Sequence, residues 1–265
     1  MKICMAGACG RMGRRILEMA AREDEIIIAG AFDLPANAGT VIAAGMESGK
    51  PVNVTVGGDA AAEIGKADVL IDFTLPEGVV ANVRTAAEAG KAAVIGTTGL
   101  SGTQVDELRA LSAQVPIVYA PNMSVGVNLL FKLTSEVAGI LGLDYNVEIT
   151  EIHHNQKKDS PSGTARRLAE RAAEALGLSY DENVAHGREG IVGARPKHEI
   201  GMHALRGGDV VGEHTVAFVG MGERIELTHK AHNRDNFAQG AIIAARFCAS
   251  AKPGLYDMQD VLGLK

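Results

Sequence analysis

Cysteine is scarce in this 265-residue sequence, which has only Cys4, Cys9 and Cys248. Their scatter fits neither a disulfide framework nor a zinc-ribbon spacing, so reduced thiols are expected. Long apolar runs are scarce too, and no membrane span is expected, because such a span needs about 20 consecutive apolar residues. The opening segment "MKICMAGACGRMG" is punctuated by glycine instead of carrying a charged region into an apolar one, and a cytoplasmic location follows as the expectation. Positive charge is in deficit, with 26 Lys and Arg against 32 Asp and Glu, a net charge of −6. That balance argues against nucleic acid as a partner and requires a local basic pocket wherever an anionic ligand is met. Internal repeats and low-complexity segments are not seen. What remains is 46% hydrophobic and 22% charged, the composition of a folded chain long enough for one large domain or two smaller ones.

The first half alternates short β-branched runs with helical patterns. "KICMAG", a helix from about Arg11, "EIIIAGAF", "ADVLIDF", a helix from Glu77, "KAAVIG", a helix from about Ser101 and "PIVYA" follow one another. This is the sequence form of βαβ units around a parallel sheet. Beyond Asn122 the texture changes. "MSVGVNLLFKLTSEVAGIL" reads as a long helix, "YNVEITEIHH" as a strand, and "SGTARRLAERAAEALG" as a helix that Gly177 can end. A Gly- and charge-rich loop is expected over 177–198. The runs "HEIGMHALRGG", "DVVGEHTVAFVG" and "ERIELTHKA" then read as strands with hairpin-like turns between them, suited to antiparallel or mixed pairing. A final helix is expected near 234–251. The expected fold is α/β: a Rossmann-type dinucleotide-binding domain over 1–123 and 235–265, plus an α+β substrate-binding and oligomerisation domain with a mixed sheet over 124–234.

"GACGRMG" follows the first strand and opens a helix, the context a dinucleotide fingerprint requires. The glycines Gly7, Gly10 and Gly13 make a GxxGxxG, with Cys9 where the commoner spacing has its second glycine. Gly10 then takes over the close approach to a pyrophosphate, beside the N–H groups of the helix amino terminus. Asp33 in "AGAFDLP" stands about 20 residues on, where an acid accepts hydrogen bonds from the adenine ribose. A carboxylate repels the extra phosphate of NADP, and Leu34 offers no cation to receive it. NADH is therefore the preferred cofactor, with NADPH possible through Arg11. "IGTTGLS" and "YAPNMSVG" end later strands at the edge of the sheet where ligands bind in open α/β folds.

The stretch "EIHHNQKKDSPSGTA", residues 151–165, concentrates chemistry. A zincin would need histidines four apart on a helix, whereas His153 and His154 are adjacent, so no metal site is expected. A serine hydrolase would need Ser162 on a Gly-x-Ser-x-Gly elbow, and here it stands in "SPSGT" before a helix. The remaining reading is an anion-binding acid site. Ser162, Gly163 and Thr164 open a helix whose N–H groups and hydroxyls seat a carboxylate, and Lys157 and Lys158 supply positive charge one loop away. Histidine beside such cations can act as general acid or base. A regular strand would turn His153 and His154 to opposite sides, so the strand must end or bulge at the pair if both are to serve one site.

"GACGRMG", "IDFTLPEG", "IGTTG", "PNMSVGVN", "EIHHNQKKDSPSGTA" and "GEHTV", in this order, resemble the dihydrodipicolinate reductase family along essentially the full chain. The resemblance implies an NAD(P)H-dependent reductase acting on a cyclic unsaturated dicarboxylate in the diaminopimelate route to lysine. It implies His153 as proton donor or acceptor, Lys157 as second proton donor, His154 as a substrate contact, and Gly163 with Thr164 as the seat of a substrate carboxylate. The dinucleotide would lie on Gly7, Ala8, Cys9, Gly10, Arg11, Met12, Asp33, Gly96, Thr97, Thr98, Ala120, Pro121, Asn122 and Met123. The resemblance further implies domain closure over both ligands and a homotetramer assembled through the mixed sheet. Leu34 departs from members that carry a basic residue after the acid. Two alternatives stay open from the residues alone: another NAD-dependent dehydrogenase of small carboxylates, and a non-catalytic dinucleotide sensor.

Overall fold

A computed structural model describes all 265 residues, and the chain divides into two compact units, 1–125 with 234–265, and 126–233. The first unit begins β1 (Lys2–Ala6), α1 (Arg11–Ala20), β2 (Ile27–Phe32), β3 (Val41–Ala44), β4 (Val52–Thr55) and α2 (Ala60–Gly65). It continues β5 (Val69–Asp72), α3 (Pro76–Glu88), β6 (Ala92–Ile95), α4 (Gly102–Leu111) and β7 (Pro116–Tyr119). Then come α5 (Val125–Leu141), β8 (Asn146–His153), α6 (Gly163–Leu176), α7 (Tyr180–Asn183), β9 (Val184–His186), β10 (Ile200–Arg206), β11 (Gly212–Val219) and β12 (Arg224–Ala231). The chain returns to the first unit with α8 (Asp235–Cys248), β13 (Gly254–Tyr256) and α9 (Met258–Val261).

The first unit is built on a six-stranded parallel sheet ordered β13-β7-β6-β5-β1-β2. Its central strands β5 (VLID) and β6 (AAVI) are buried at every position, as expected of a sheet covered on both faces. One apolar layer joins α1 and α8 through Ile16, Leu17, Ala241, Ile242 and Ala245, and the other gathers Val79, Val83, Ala86 and Leu108 from α3 and α4. The carboxyl-terminal segment adds the helix expected there and also β13, which extends the sheet edge beside β7. The hairpin β3–β4 and the short α2 are absent from the sequence-level reading. They are brief and half-exposed, so they carry no strong periodicity.

The second unit is a five-stranded mixed sheet ordered β12-β11-β8-β10-β9. Strand β8 lies parallel to β10 and antiparallel to β11, so β10 and β11 do not form the expected hairpin. Strand β8 is inserted between them, and only β11–β12 is a true hairpin. The expected loop over 177–198 also holds α7 and β9, the latter pairing along β10 through Ile200 to Met202. Helix α6 covers the sheet because Ala165, Leu168, Ala169, Ala172 and Ala173 recur at helical spacing and bury one stripe. Its end is set by Gly177 at φ 67°, a left-handed conformation that glycine adopts without a Cβ penalty.

Against the expectation of no membrane span, the run Val125–Asp144 is long and apolar enough by length and composition to cross a membrane. Its Val127, Leu130, Phe131 and Ala138 lie in the core of the second unit, against Val147, Ile149 and Phe218 of the sheet.

Candidate active site

Strand alternation decides which residues of the second unit meet. Val147, Ile149, Glu151 and His153 are all buried and share one face of β8. The first two belong to the apolar core, whereas the last two bring a carboxylate and an imidazole to the carboxyl end of the same row. Glu151 is fully buried. Its Oε2 lies 2.6 Å from His153 Nδ1. Arg206, the residue beside His153 on β10, donates from both terminal guanidinium nitrogens to the two Glu151 oxygens at 2.8 and 2.9 Å. The Ser162 N–H donates to Glu151 Oε1 at 3.0 Å. Burial pushes the Glu151 carboxyl up, but the hydrogen bonds from Arg206, His153 and Ser162 outweigh it and hold the group below its usual range.

His153 is 9% exposed, and its imidazole is pushed down by burial more strongly than the Glu151 bond and charge raise it. The charges of Lys157 and Arg206 push the same way as burial. The free edge of the ring lies against Gly212, where an added methyl would come 2.8 Å from His153 Nε2. His214, opposite Glu151 on β11, packs edge-on against His153 with ring centroids 5.1 Å apart. Burial drives the His214 imidazole down to about 3, so it is neutral at physiological pH. Its Nε2 is 3.0 Å from the Ser162 hydroxyl.

Strand β8 ends at His153, which resolves the geometric difficulty of the adjacent histidines. His154 leaves the ladder, donating its N–H to Val210 O at 2.8 Å while its own carbonyl accepts from Lys157 N at 3.2 Å. The Lys157 ammonium lies 2.9 Å from Asp159 Oδ2, and Lys158 is exposed. The structure corrects the expectation at Ser162. That residue is 2% exposed, with its N–H given to Glu151 and its hydroxyl committed to Ala165 N–H and His214. Ser162 thus shapes the turn from within, while Gly163 is exposed and Thr164 half-exposed at the amino end of α6. Glu151, Arg206 and His214 complete the cluster around His153 and Ser162, and sequence reasoning did not single them out. The usable signals were a glutamate two positions before a strand histidine and the short run "GEHTV".

In the first unit, the turn after β1 fits a dinucleotide. Gly7 has φ 75°, and a methyl on Gly13 would fall 2.1 Å from Gly7 O, so helix α1 can pack on the turn only with glycine there. No side chain caps the amino end of α1, whereas α4 and α6 are capped by Ser101 and Ser162. Uncapped N–H groups with the positive end of the helix dipole are a seat for phosphate. Asp33 follows β2 and accepts from Cys9 N–H at 2.8 Å through Oδ2, and from Leu34 N–H and Asn37 Nδ2 through Oδ1, both at 2.8 Å. Burial pushes its carboxyl up, yet these bonds prevail and keep it ionised. Arg14 donates through Nε to Cys9 O at 3.0 Å, so the two peptides flanking Cys9 are held by Asp33 and Arg14, and Arg11 is exposed at the first turn of α1.

The loops after β6 and β7 are fixed more tightly than sequence suggested. Gly96 is required because a methyl there would lie 2.1 Å from the Phe73 ring. The Thr97 hydroxyl donates to Thr74 O at 2.8 Å, which leaves its acceptor lone pairs for a ligand, while Thr98 is exposed. Ala120 and Met123 are buried, Pro121 is exposed and Asn122 half-exposed. The Met123 side chain belongs to the core, and only its backbone remains for a ligand. Ala8 is likewise fully buried, and Met12 packs against the core.

A doubly covered parallel sheet with an uncapped glycine turn, and a separate unit bearing a buried acid–imidazole pair beside cationic side chains, define a nicotinamide-dependent oxidoreductase of a small anionic substrate. Residues 1–123 match the family described as dihydrodipicolinate reductase, N-terminus, and residues 126–262 match its C-terminus. The chain belongs to the dihydrodipicolinate reductase family. It is 49% identical over 265 residues to 4-hydroxy-tetrahydrodipicolinate reductase of Citrifermentans bemidjiense, covering 100% of this chain and 99% of that one. It is 50% identical, with the same coverage, to the enzyme of that name from Geobacter sulfurreducens. Dipicolinate-bound dihydrodipicolinate reductase from Paenisporosarcina sp. TG-14 shares the fold, with a TM-score of 0.78 over 98% of both chains at 24% identity.

Proposed function

We propose that this chain reduces 4-hydroxy-tetrahydrodipicolinate, by way of dihydrodipicolinate, to tetrahydrodipicolinate in lysine and diaminopimelate biosynthesis, preferring NADH. The observation that carries the reading is the buried Glu151–His153 pair, 2.6 Å apart, on a strand whose next loop brings Lys157 and the amino end of α6. Loss of the 4-hydroxyl as water gives the conjugated ring of dihydrodipicolinate, to which a reduced nicotinamide dinucleotide held by the glycine turn after β1 would supply hydride. His153 and Lys157 move the proton that the reduced ring must gain, the ordinary work of a general acid. Gly163 and Thr164 hold one carboxylate of the substrate at the start of α6, and His154 contacts the ring substituents. Lys157 adds positive charge for the same dicarboxylate, which a net-negative protein has to supply locally.

In the first unit, Asp33 holds the adenine ribose and disfavours a phosphate on it, and the exposed Leu34 offers that phosphate no cation. This supports NADH over NADPH. The sheet face of the second unit opposite α6 carries the exposed Leu205 and Val219, which supports assembly of a homotetramer through it; light scattering would report four chains. The function is tested by generating the substrate in place from pyruvate and aspartate semialdehyde with its synthase. Reduced-cofactor absorbance then falls on addition of this protein, and no fall with either NADH or NADPH would sink the assignment.

A further inference from the structure

Glu151 is the one carboxylate in the second unit that touches both halves of the proposed chemistry. One oxygen meets His153 Nδ1 at 2.6 Å, and the other meets the Ser162 N–H at 3.0 Å, immediately before the turn that opens α6. Arg206 bridges both oxygens and also donates to Asp159 O at 2.7 Å, so the same guanidinium ties in the loop that carries Lys157. A fully buried carboxylate is costly unless paired, and here four hydrogen bonds offset its desolvation. Core packing alone would be served by an apolar residue at this position of β8, as it is at Val147 and Ile149.

We infer that Glu151 is a positioning residue of the reaction: it holds His153 with the proton on Nδ1 and Nε2 turned to the reacting centre, while fixing the turn that presents Gly163 and Thr164 to the substrate carboxylate. Nδ1–H donates to the carboxylate, so Nε2 is the nitrogen that carries the exchangeable proton, and Gly212 leaves room at that edge. Arg206 balances the charge, so that Glu151 orients the ring without itself taking the proton. The groups facing His153 are Glu151 on its own strand, Arg206 on β10, His214 on β11 and Lys157 on the following loop. Of these only Glu151 favours the protonated ring. This inference rests on the reductase reading above.

The test compares Glu151→Gln with His153→Gln and with wild type. Glu151→Gln is expected to lower kcat by roughly 10²- to 10⁴-fold, the range a general acid is worth, its upper end being the cost of the wrong histidine tautomer in a Ser-His-Asp triad, and to raise KM for the dicarboxylate. NADH affinity by fluorescence titration stays at the wild-type value. The pH at which kcat/KM is half-maximal on the His153 limb moves to lower pH, because the carboxylate that favours the imidazolium is gone. His153→Gln changes kcat with little change in KM. Nitrogen-15 NMR of histidine-labelled wild type is expected to show the Nδ1–H form of His153, and this reading survives even if the variant fails to fold. An Nε2–H tautomer in wild type, or a folded Glu151→Gln variant with unchanged kcat and pH profile, would overturn the inference. Inactivity of wild type itself would overturn the reductase reading instead, while the tautomer measurement stands apart from it.

Discussion

Glu151 Oε2 and His153 Nδ1 lie 2.6 Å apart because they are two residues apart on one strand and therefore share a face. With His153 proposed as the general acid, His153→Gln is expected to cut turnover by roughly 10²- to 10⁴-fold. NADH affinity should stay near wild type. Equal loss of cofactor binding, measured by titration, would assign His153 a structural role.

Gly212 gives a sharper probe of the same ring. A methyl at this position would stand 2.8 Å from His153 Nε2, so the imidazole must move in Gly212→Ala. Displacing a reacting group by about 1 Å costs on the order of 10²-fold in rate. Turnover is expected to fall by that order with secondary structure intact by circular dichroism, and an unchanged kcat would show that the ring edge is not used.

His214 predicts a pH dependence of stability. Its folded pKa is about 3, below the unfolded value of about 6.5, so its contribution is complete above the unfolded value and is lost as pH falls toward the folded one. Between neutrality and pH 5 the loss is roughly 2 kcal/mol from this residue. Urea denaturation at the two pH values should show the wild type losing more stability than His214→Gln. Equal losses in both proteins would contradict the assignment of a buried neutral imidazole.

Asp33 and Leu34 predict cofactor choice. Catalytic efficiency should be higher with NADH than with NADPH, and Asp33→Ser combined with Leu34→Arg should shift the ratio toward NADPH. Initial rates with each cofactor decide this, and a clear NADPH preference in wild type would show that the Asp33 carboxylate does not exclude the phosphate.

Gly240 on α8 predicts a stability effect independent of chemistry. A methyl there would meet Met123 O at 1.7 Å, a backbone atom that cannot yield without moving the loop after β7. Gly240→Ala is expected to destabilise the fold by about 1–3 kcal/mol or more, read as a lowered urea midpoint.

Much of this was legible in sequence where local signals are strong. The βαβ alternation, the glycine turn, Ser101 and Ser162 at helix starts and Gly177 at a helix end each follow from short-range chemistry, and the structure has them. The interruption of β10 and β11 by β8 was not legible, because strand order is set by long-range pairing that no turn signal encodes. The same limit hid Arg206 and His214. They lie 55 and 52 residues from Glu151 and Ser162, their respective partners, and only the sheet register brings them together. The burial of Ser162 is hidden for a related reason: the local sequence marks a helix-capping serine, but the His214 that covers its hydroxyl comes from β11.

If this chain passes a hydride from a reduced nicotinamide to the dicarboxylate ring, an isotopic label on that hydride must follow it into the product. The direct measurement supplies NADH deuterated at the transferable position with substrate made in place, and determines the product by mass spectrometry. The expected product is tetrahydrodipicolinate carrying one deuterium, formed in step with NADH oxidation. NADH left unoxidised, or product formed without the label, would contradict it.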